Sequence, residues 1–252
     1  MDDFEMIGSI NSNQDKENER LQRTEEWFEA RKGRYTGSRI KYLMGCGRST
    51  SKLPWGSLEK TFDFGALAER YIYNVGKERI TGLRSMEISS KQMEWGKQHE
   101  DLLVERLIKD GLITDFKELG FEIYSGYKNI GASADGEANY KNEVVGIELK
   151  CCVSWDGNYN RMYEKVHEKH NDFWQFQTEM LSTGRKKILY VVTHPLTVDS
   201  YDYDIVCASE IHQKEMVRRA KIADKAISLW DGHNYKHSLE LACAYYKENE
   251  IN

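Results

Sequence analysis

The stretch GIELKCC, residues 146–152, constrains this chain more than any other. Read with the two valines before it, it puts Val145, Ile147 and Leu149 on one face of a strand, and Gly146, Glu148 and Lys150 on the other. The apolar face belongs in a core. A carboxylate and an ammonium group on the opposite face are costly to bury unless they are paired or bound to an ion. The pattern itself is weak evidence, because acid-x-Lys arises by chance in a chain of this composition. Asp115-Phe116-Lys117 satisfies it too, without such a setting, and receives no assigned role.

The neighbouring text supplies further inward-facing polar groups. ASADGEA (132–138) puts Asp135 at the end of a preceding strand-like run, so that antiparallel pairing brings it beside Glu148. Two readings are open at this point. Asp135 is a turn residue and Glu148–Lys150 a structural pair, or two close carboxylates share a cation such as Mg²⁺ or Mn²⁺. Two helical segments weigh on the choice. In WGKQHEDLLVERLIK (95–109), Glu100 shares a face with Leu103, Val104, Leu107 and Ile108. In NDFWQFQTEMLSTG (171–184), Gln177 lies in the stripe of Phe173, Phe176, Met180 and Leu181, while Gln175 falls off it. Glu100, Asp135, Glu148, Lys150 and Gln177 together read as a site.

The order of patterns is helices over 24–111, a three-strand meander (120–126, 130–138, 143–151), a helix over 171–184, two strands at 187–194 and 201–208, and a helix over 209–230. The fold class expected is α/β (α+β), a small mixed sheet flanked by helices. With 252 residues, 40% of them hydrophobic, the chain suits one domain over 24–252, and the acidic stretch 1–23 reads as a disordered leader. No run approaches the ~18 apolar residues of a membrane span. Nor does the polar start resemble a signal peptide, and an odd number of cysteines, two of them adjacent, makes no disulfide framework; a cytoplasmic setting is expected. Most of the net charge of −5 lies in residues 1–20, where Asp2, Asp3, Glu5, Asp15, Glu17 and Glu19 face only Lys16 and Arg20. Basic clusters at 31–41, 184–187 and 214–225 leave room for a basic groove, although the last reads more simply as a solvated helix face.

Taken in order, EWFEARKGRYTGSRI (26–40), EWGKQHE (94–100), SADGEA (133–138), GIELKC (146–151) and WQFQTEML (174–181) resemble the PD-(D/E)XK nuclease superfamily. Within it they are most similar to the phage lambda exonuclease group, the YqaJ-type viral recombinase nucleases. The resemblance implies a restriction-endonuclease-like core. It implies a 5′→3′ exonuclease that degrades one strand of linear duplex DNA to 5′-mononucleotides and leaves 3′ overhangs for annealing. A PD-(D/E)XK endonuclease or nickase, or a non-catalytic DNA-end-binding adaptor, is the alternative. By the same resemblance, Asp135, Glu148 and the main-chain carbonyl of Leu149 hold one or two Mg²⁺ or Mn²⁺ ions. Glu100 holds metal-bound water, Lys150 orients or deprotonates the attacking water with a lowered pKa, and Gln177 helps position it. Arg31, Ser38 and Ser133 receive the DNA 5′-phosphate. A ring-shaped homotrimer and a single-strand annealing protein as partner are implied as well, in a host cytoplasm if the chain is phage-encoded.

The sequence departs from the family where Cys152 follows Cys151 in place of proline. The cysteines, Cys46, Cys151, Cys152, Cys207 and Cys243, lack the ligand spacing of an iron–sulfur cluster. His167 and His170 read as a solvated helix face. Trp27, Trp55 and Trp95 read as core residues, and Trp155, close after the charged strand, as a possible stacking contact for DNA.

Overall fold

A computed structural model describes residues 22, 24–45, 64–85, 91–162, 170 and 172–249. Cys46, Trp55, His167 and nearly all of the acidic leader lie outside them. Gln22, within the stretch read as leader, donates from Nε2 to the carbonyls of Leu119 (3.1 Å) and Ala134 (2.9 Å).

Among the described residues the helices are α1 (Glu25–Arg31), α2 (Ile40–Leu43), α3 (Ala66–Thr81), α4 (Lys91–Lys109), α5 (Trp155–Met162), α6 (Phe173–Thr183), α7 (Glu210–Ser228) and α8 (Tyr235–Asn249). The strands are β1 (Tyr35–Thr36), β2 (Thr114–Glu118), β3 (Glu122–Ile123), β4 (Ile130–Ala132), β5 (Gly136–Tyr140), β6 (Glu143–Lys150), β7 (Lys187–Thr193) and β8 (Tyr201–Cys207). The helix ends follow local chemistry. Thr24 Oγ1 accepts from Trp27 N at 3.1 Å and caps α1, while α3 and α6 stop at Gly82 and Gly184, both in the left-handed region that glycine tolerates.

Five strands in the order β2-β5-β6-β7-β8 form the main sheet, in which β6 and β7 run parallel and the other neighbours antiparallel. A smaller sheet, β1-β4-β3, stands apart from it. The run 130–138, read above as one strand, is therefore two. Its first part pairs with β1 and β3, its second with β2 and β6, and Ser133, Ala134 and Asp135 form the link where the chain changes sheets. The strand β2 also went unread, because its exposed Thr-Asp-Phe-Lys-Glu text carries almost no apolar alternation. It contains Asp115-Phe116-Lys117 at the sheet edge.

The turn between β5 and β6 fixes the register. Tyr140 pairs with Glu143 across Lys141 and Asn142, whose φ angles of 50° and 65° are those of a two-residue type I′ hairpin. Counting back from that turn, Gly136 faces Ile147. The antiparallel pairing ends there, one residue short of Asp135.

The two faces of β6 enter different cores. Val145, Ile147 and Leu149 pack with Leu103 and Leu107 of α4. On the other face, Ile188 and Tyr190 of β7 pack with Phe176 and Met180 of α6. Ile108, assigned above to the buried stripe of α4, is 46% exposed, since that stripe narrows to Leu103 and Leu107. A third core joins α3, α7 and α8 to the small sheet. The basic run 214–225 is not simply a solvated face. Arg219 is fully buried, donating to the carbonyls of Leu43 and Gly45, both at 2.9 Å.

Candidate active site

Glu148 is 1% exposed, on the β6 face that looks toward α6. Its Oε1 accepts from Lys150 Nζ and from Gln175 Nε2 (2.6 Å), and the same Gln175 nitrogen reaches Glu179 Oε1 at 2.8 Å. The second oxygen of each glutamate is buried without a hydrogen-bond partner. Burial raises the pKa of Glu148 against the pull of Lys150, and raises Glu179 well above the usual range, with Glu148 adding to the shift.

The pKa of Lys150 is raised by the protein groups around it. Burial acts to lower it, but Glu148, Asp172 and Asp135 more than offset this, so the ammonium form is favoured. Asp172 belongs to a network that the sequence reading missed. It accepts from Arg161 Nη1 and from the Tyr190 hydroxyl, both at 2.9 Å, and Tyr190 is the β7 register partner of Glu148. His170 is likewise buried rather than solvated. Its Nδ1 accepts from Asp172 N at 3.2 Å and its Nε2 lies 3.2 Å from the Arg161 carbonyl.

Asp135 sits in the link between sheets. Because β5 has ended, the N–H of Leu149 has no strand partner on that edge and donates to Asp135 Oδ2 at 2.7 Å. The Leu149 carbonyl leaves the same edge of the strand, as the pairing geometry requires. A cavity of about 230 Å³ opens beside this link, lined by Asp135, Leu149, Glu100, Asp101, Glu105 and Glu118 among others. Glu100 thus shares this cavity with Asp135, while Glu148 lies on the α6 side of β6. Nearby, burial and the charges of Glu100 and Asp135 push the Cys151 thiol up to about 12, so it stays protonated.

Gln177 is not part of this cluster. Fully buried, it donates from Nε2 to the Cys207 carbonyl (3.0 Å) and accepts from Ser209 N (2.8 Å), tying α6 to the β8–α7 junction. The stripe argument identified a buried residue correctly, but α6 is buried on more than one side: Gln175 and Glu179 face β6, and Gln177 faces elsewhere. The i, i+4 spacing of Gln175 and Glu179 was the signal available for finding them.

Arg31, Ser38 and Ser133 gather around Trp27. The Arg31 guanidinium lies 4.0 Å from the Trp27 ring centroid and donates to Ser38 Oγ at 3.3 Å, and Trp27 Nε1 donates to Ser133 Oγ at 2.7 Å. Beyond Arg31 a cleft between α1 and α3 is lined by Lys32, Arg34, Arg39 and Arg84 as well as Thr36 and Glu78. Trp155 is 64% exposed at the start of α5, tilted against His194 with ring centroids 5.1 Å apart.

The donor set at the end of β6 fits a hard divalent cation: carboxylates, a main-chain carbonyl, and a buried Glu148 oxygen that has no donor. Among the described residues no group of three His, Cys, Asp or Glu side chains is arranged to hold a metal, so such an ion needs ligands beyond side chains of those types.

A mixed sheet flanked by helices, with acid-x-Lys on one strand and a second carboxylate at the end of its neighbour, defines the PD-(D/E)XK class of fold. The chain belongs to the YqaJ-like viral recombinase domain family, whose model matches residues 26–186. Among solved structures, it is similar to an alkaline exonuclease (LHK-Exo) from Laribacter hongkongensis, at 22% identity and a TM-score of 0.60, covering 90% of this chain and 98% of that one. The same exonuclease in complex with dAMP matches at 23% identity, a TM-score of 0.60 and the same coverage. A phage-related exonuclease from Haemophilus somnus 129PT matches at 13% identity and a TM-score of 0.52, covering 87% of this chain and 96% of that one. No curated relative matches the sequence.

Proposed function

We propose that this protein is a metal-dependent exonuclease that removes 5′-mononucleotides from one strand of linear duplex DNA in the 5′→3′ direction. The observation that carries the reading is the end of β6. There a buried, partly unpaired Glu148 stands beside Lys150, with Asp135 held against the next residue's amide. Family membership and the exonuclease fold support it.

Asp135, Glu148 and the Leu149 carbonyl would hold one or two Mg²⁺ or Mn²⁺ ions. Bound there, a divalent cation lowers the pKa of water and neutralises charge on the phosphate. Lys150 donates hydrogen bonds to the attacking water and holds it in line. Gln175, in the place first given to Gln177, fixes the Glu148 carboxylate. Glu100 accepts from water on the cavity side. Arg31, Ser38 and Ser133 receive the terminal 5′-phosphate, for which the guanidinium fork and hydroxyls are suited donors. Trp155 offers a stacking face to a base near the cut. The 3′ overhang left behind would pass to a single-strand annealing protein, and a ring-shaped homotrimer in the host cytoplasm is the working assembly. Among the described residues no helix is long and apolar enough to cross a membrane.

Linear duplex DNA with 5′-phosphate or 5′-hydroxyl ends, incubated with Mg²⁺ or with EDTA, tests the proposal. Loss of the 5′-phosphorylated strand only with Mg²⁺, and not with Glu148→Gln, is the expected result. Cleavage of closed circular plasmid would identify an endonuclease or nickase instead, and end binding without nucleotide release a DNA-end adaptor.

A further inference from the structure

Asp224, on α7, has no role in the reading above, yet its carboxylate takes four donors, two on each oxygen. The Tyr35 hydroxyl (2.8 Å) and Arg79 Nη1 (2.6 Å) donate to Oδ1, the Tyr127 hydroxyl and Asn129 Nδ2 (2.6 Å) to Oδ2. That fills the accepting capacity of a carboxylate. The donors come from β1, from α3 and from the turn between β3 and β4. Arg79 also donates from Nε to the Gly33 carbonyl at 2.6 Å, and its neighbour Glu78 accepts from Gly33 N at 2.9 Å. Gly33 has a φ of 67°, and a Cβ there would lie 2.8 Å from the Arg79 stem, so glycine lets the turn close on that side chain.

These bonds fall on the two segments that carry the terminal-phosphate residues. Gly33 and Tyr35 lie between Arg31 and Ser38, while Tyr127 and Asn129 precede β4, which leads into Ser133. The two segments pair in parallel, Tyr35 with Ile130 and Thr36 with Gly131, and Ser38 and Ser133 each follow two residues beyond the second pair. At the other end, where Asp224 sits, Tyr35 N donates to the Asn129 carbonyl (2.8 Å) and Arg34 Nε to the Lys128 carbonyl (3.0 Å). A strand as short as β1, two residues, has few ladder bonds of its own to hold its place. One carboxylate gripping both chains where they enter the pair fixes their spacing, and with it the spacing of the groups where they leave. An error of about 1 Å in such a spacing is enough to cost a positioned contact much of its effect.

We propose that Asp224 is a positioning residue for the terminal-phosphate pocket, setting the arrangement of Arg31, Ser38 and Ser133 through Tyr35, the Arg79–Gly33 contact and the turn at 127–129. This rests on the assignment of the 5′-phosphate to those three residues and gives it a support from α7.

Initial rates of the full chain on linear duplex DNA with 5′-phosphate and with 5′-hydroxyl ends, measured with Mg²⁺ across DNA concentrations, test it. Asp224→Asn keeps the shape of the side chain but turns one of its two acceptors into a donor facing donors. In this variant, checked for folding by circular dichroism, the preference for the phosphorylated end should fall roughly tenfold or more, mainly through KM for that end. Tyr127→Phe removes a single donor and should lower the same preference by a smaller factor; it decides the matter alone if Asp224→Asn does not fold. A role in stability alone would lower the two rates in step. That result, or a preference kept in the folded variants while Arg31→Ala abolishes it, would overturn the positioning role and leave the phosphate assignment standing. Equal rates of wild type on the two ends would overturn both.

Discussion

Replacing Gln175 and Gln177 one at a time should separate chemistry from architecture within two residues of one helix. Gln175→Ala removes the amide that bridges Glu148 and Glu179 and is expected to slow strand degradation at least tenfold, with little change in stability. Gln177→Ala leaves the Cys207 carbonyl and Ser209 amide without their partner and should cost about 1–3 kcal/mol in urea unfolding. Equal stability losses in the two variants would contradict these placements. Asp172 gives a pH signature. Burial pushes its carboxyl up, but Lys150, Arg161 and the Tyr190 hydroxyl outweigh that and hold it below the usual carboxylate range. Such a group adds stability that is complete above its unfolded pKa of about 3.9 and is lost as pH falls through the lower folded value. Asp172→Asn should therefore melt below wild type at pH 7, with the gap closing below about pH 4. A gap constant across that range would count against the pairing. At this scale the sequence exposed Glu148 and Lys150, because a charge on a core strand breaks a two-residue period visibly. It hid Asp172 and Tyr190, whose relation to Lys150 arises only when β6 and β7 pair in parallel.

At the scale of elements, the helices α3, α4, α6 and α7 and the strands β6, β7 and β8 were legible because each carries a sustained apolar repeat, whereas α5 and α8 went unread. The division of 130–138 between two sheets was not, since both halves alternate alike and only their pairing partners differ. Gly136 marks the division. A Cβ there would collide with the Phe116 ring and come within 2.8 Å of the Lys117 carbonyl, so β5 could no longer lie close against β2. Gly136→Ala is expected to lower stability by about 1–3 kcal/mol and to shift Asp135 with it. A lowered urea midpoint together with weakened Mn²⁺ affinity would show both effects; an unchanged midpoint would contradict the close approach.

At the scale of the whole molecule, a net charge of −5 coexists with a strongly basic cleft beyond Arg31. DNA binding should accordingly weaken with salt despite the acidic total. Arg39→Ala and Arg84→Ala should each lower the slope of log affinity against log salt by about one, if each guanidinium neutralises one phosphate, as titrations from 50 to 200 mM salt would show. The link between the sheets has a final consequence. Ser133 stands on the side of the terminal phosphate in the proposed reaction, Asp135 on the side of the bond that breaks, and two residues of chain span at most about 7 Å. In that proposed reaction the backbone itself would be a measuring rod, with the length of each piece released set by covalent geometry rather than by how firmly the DNA is gripped.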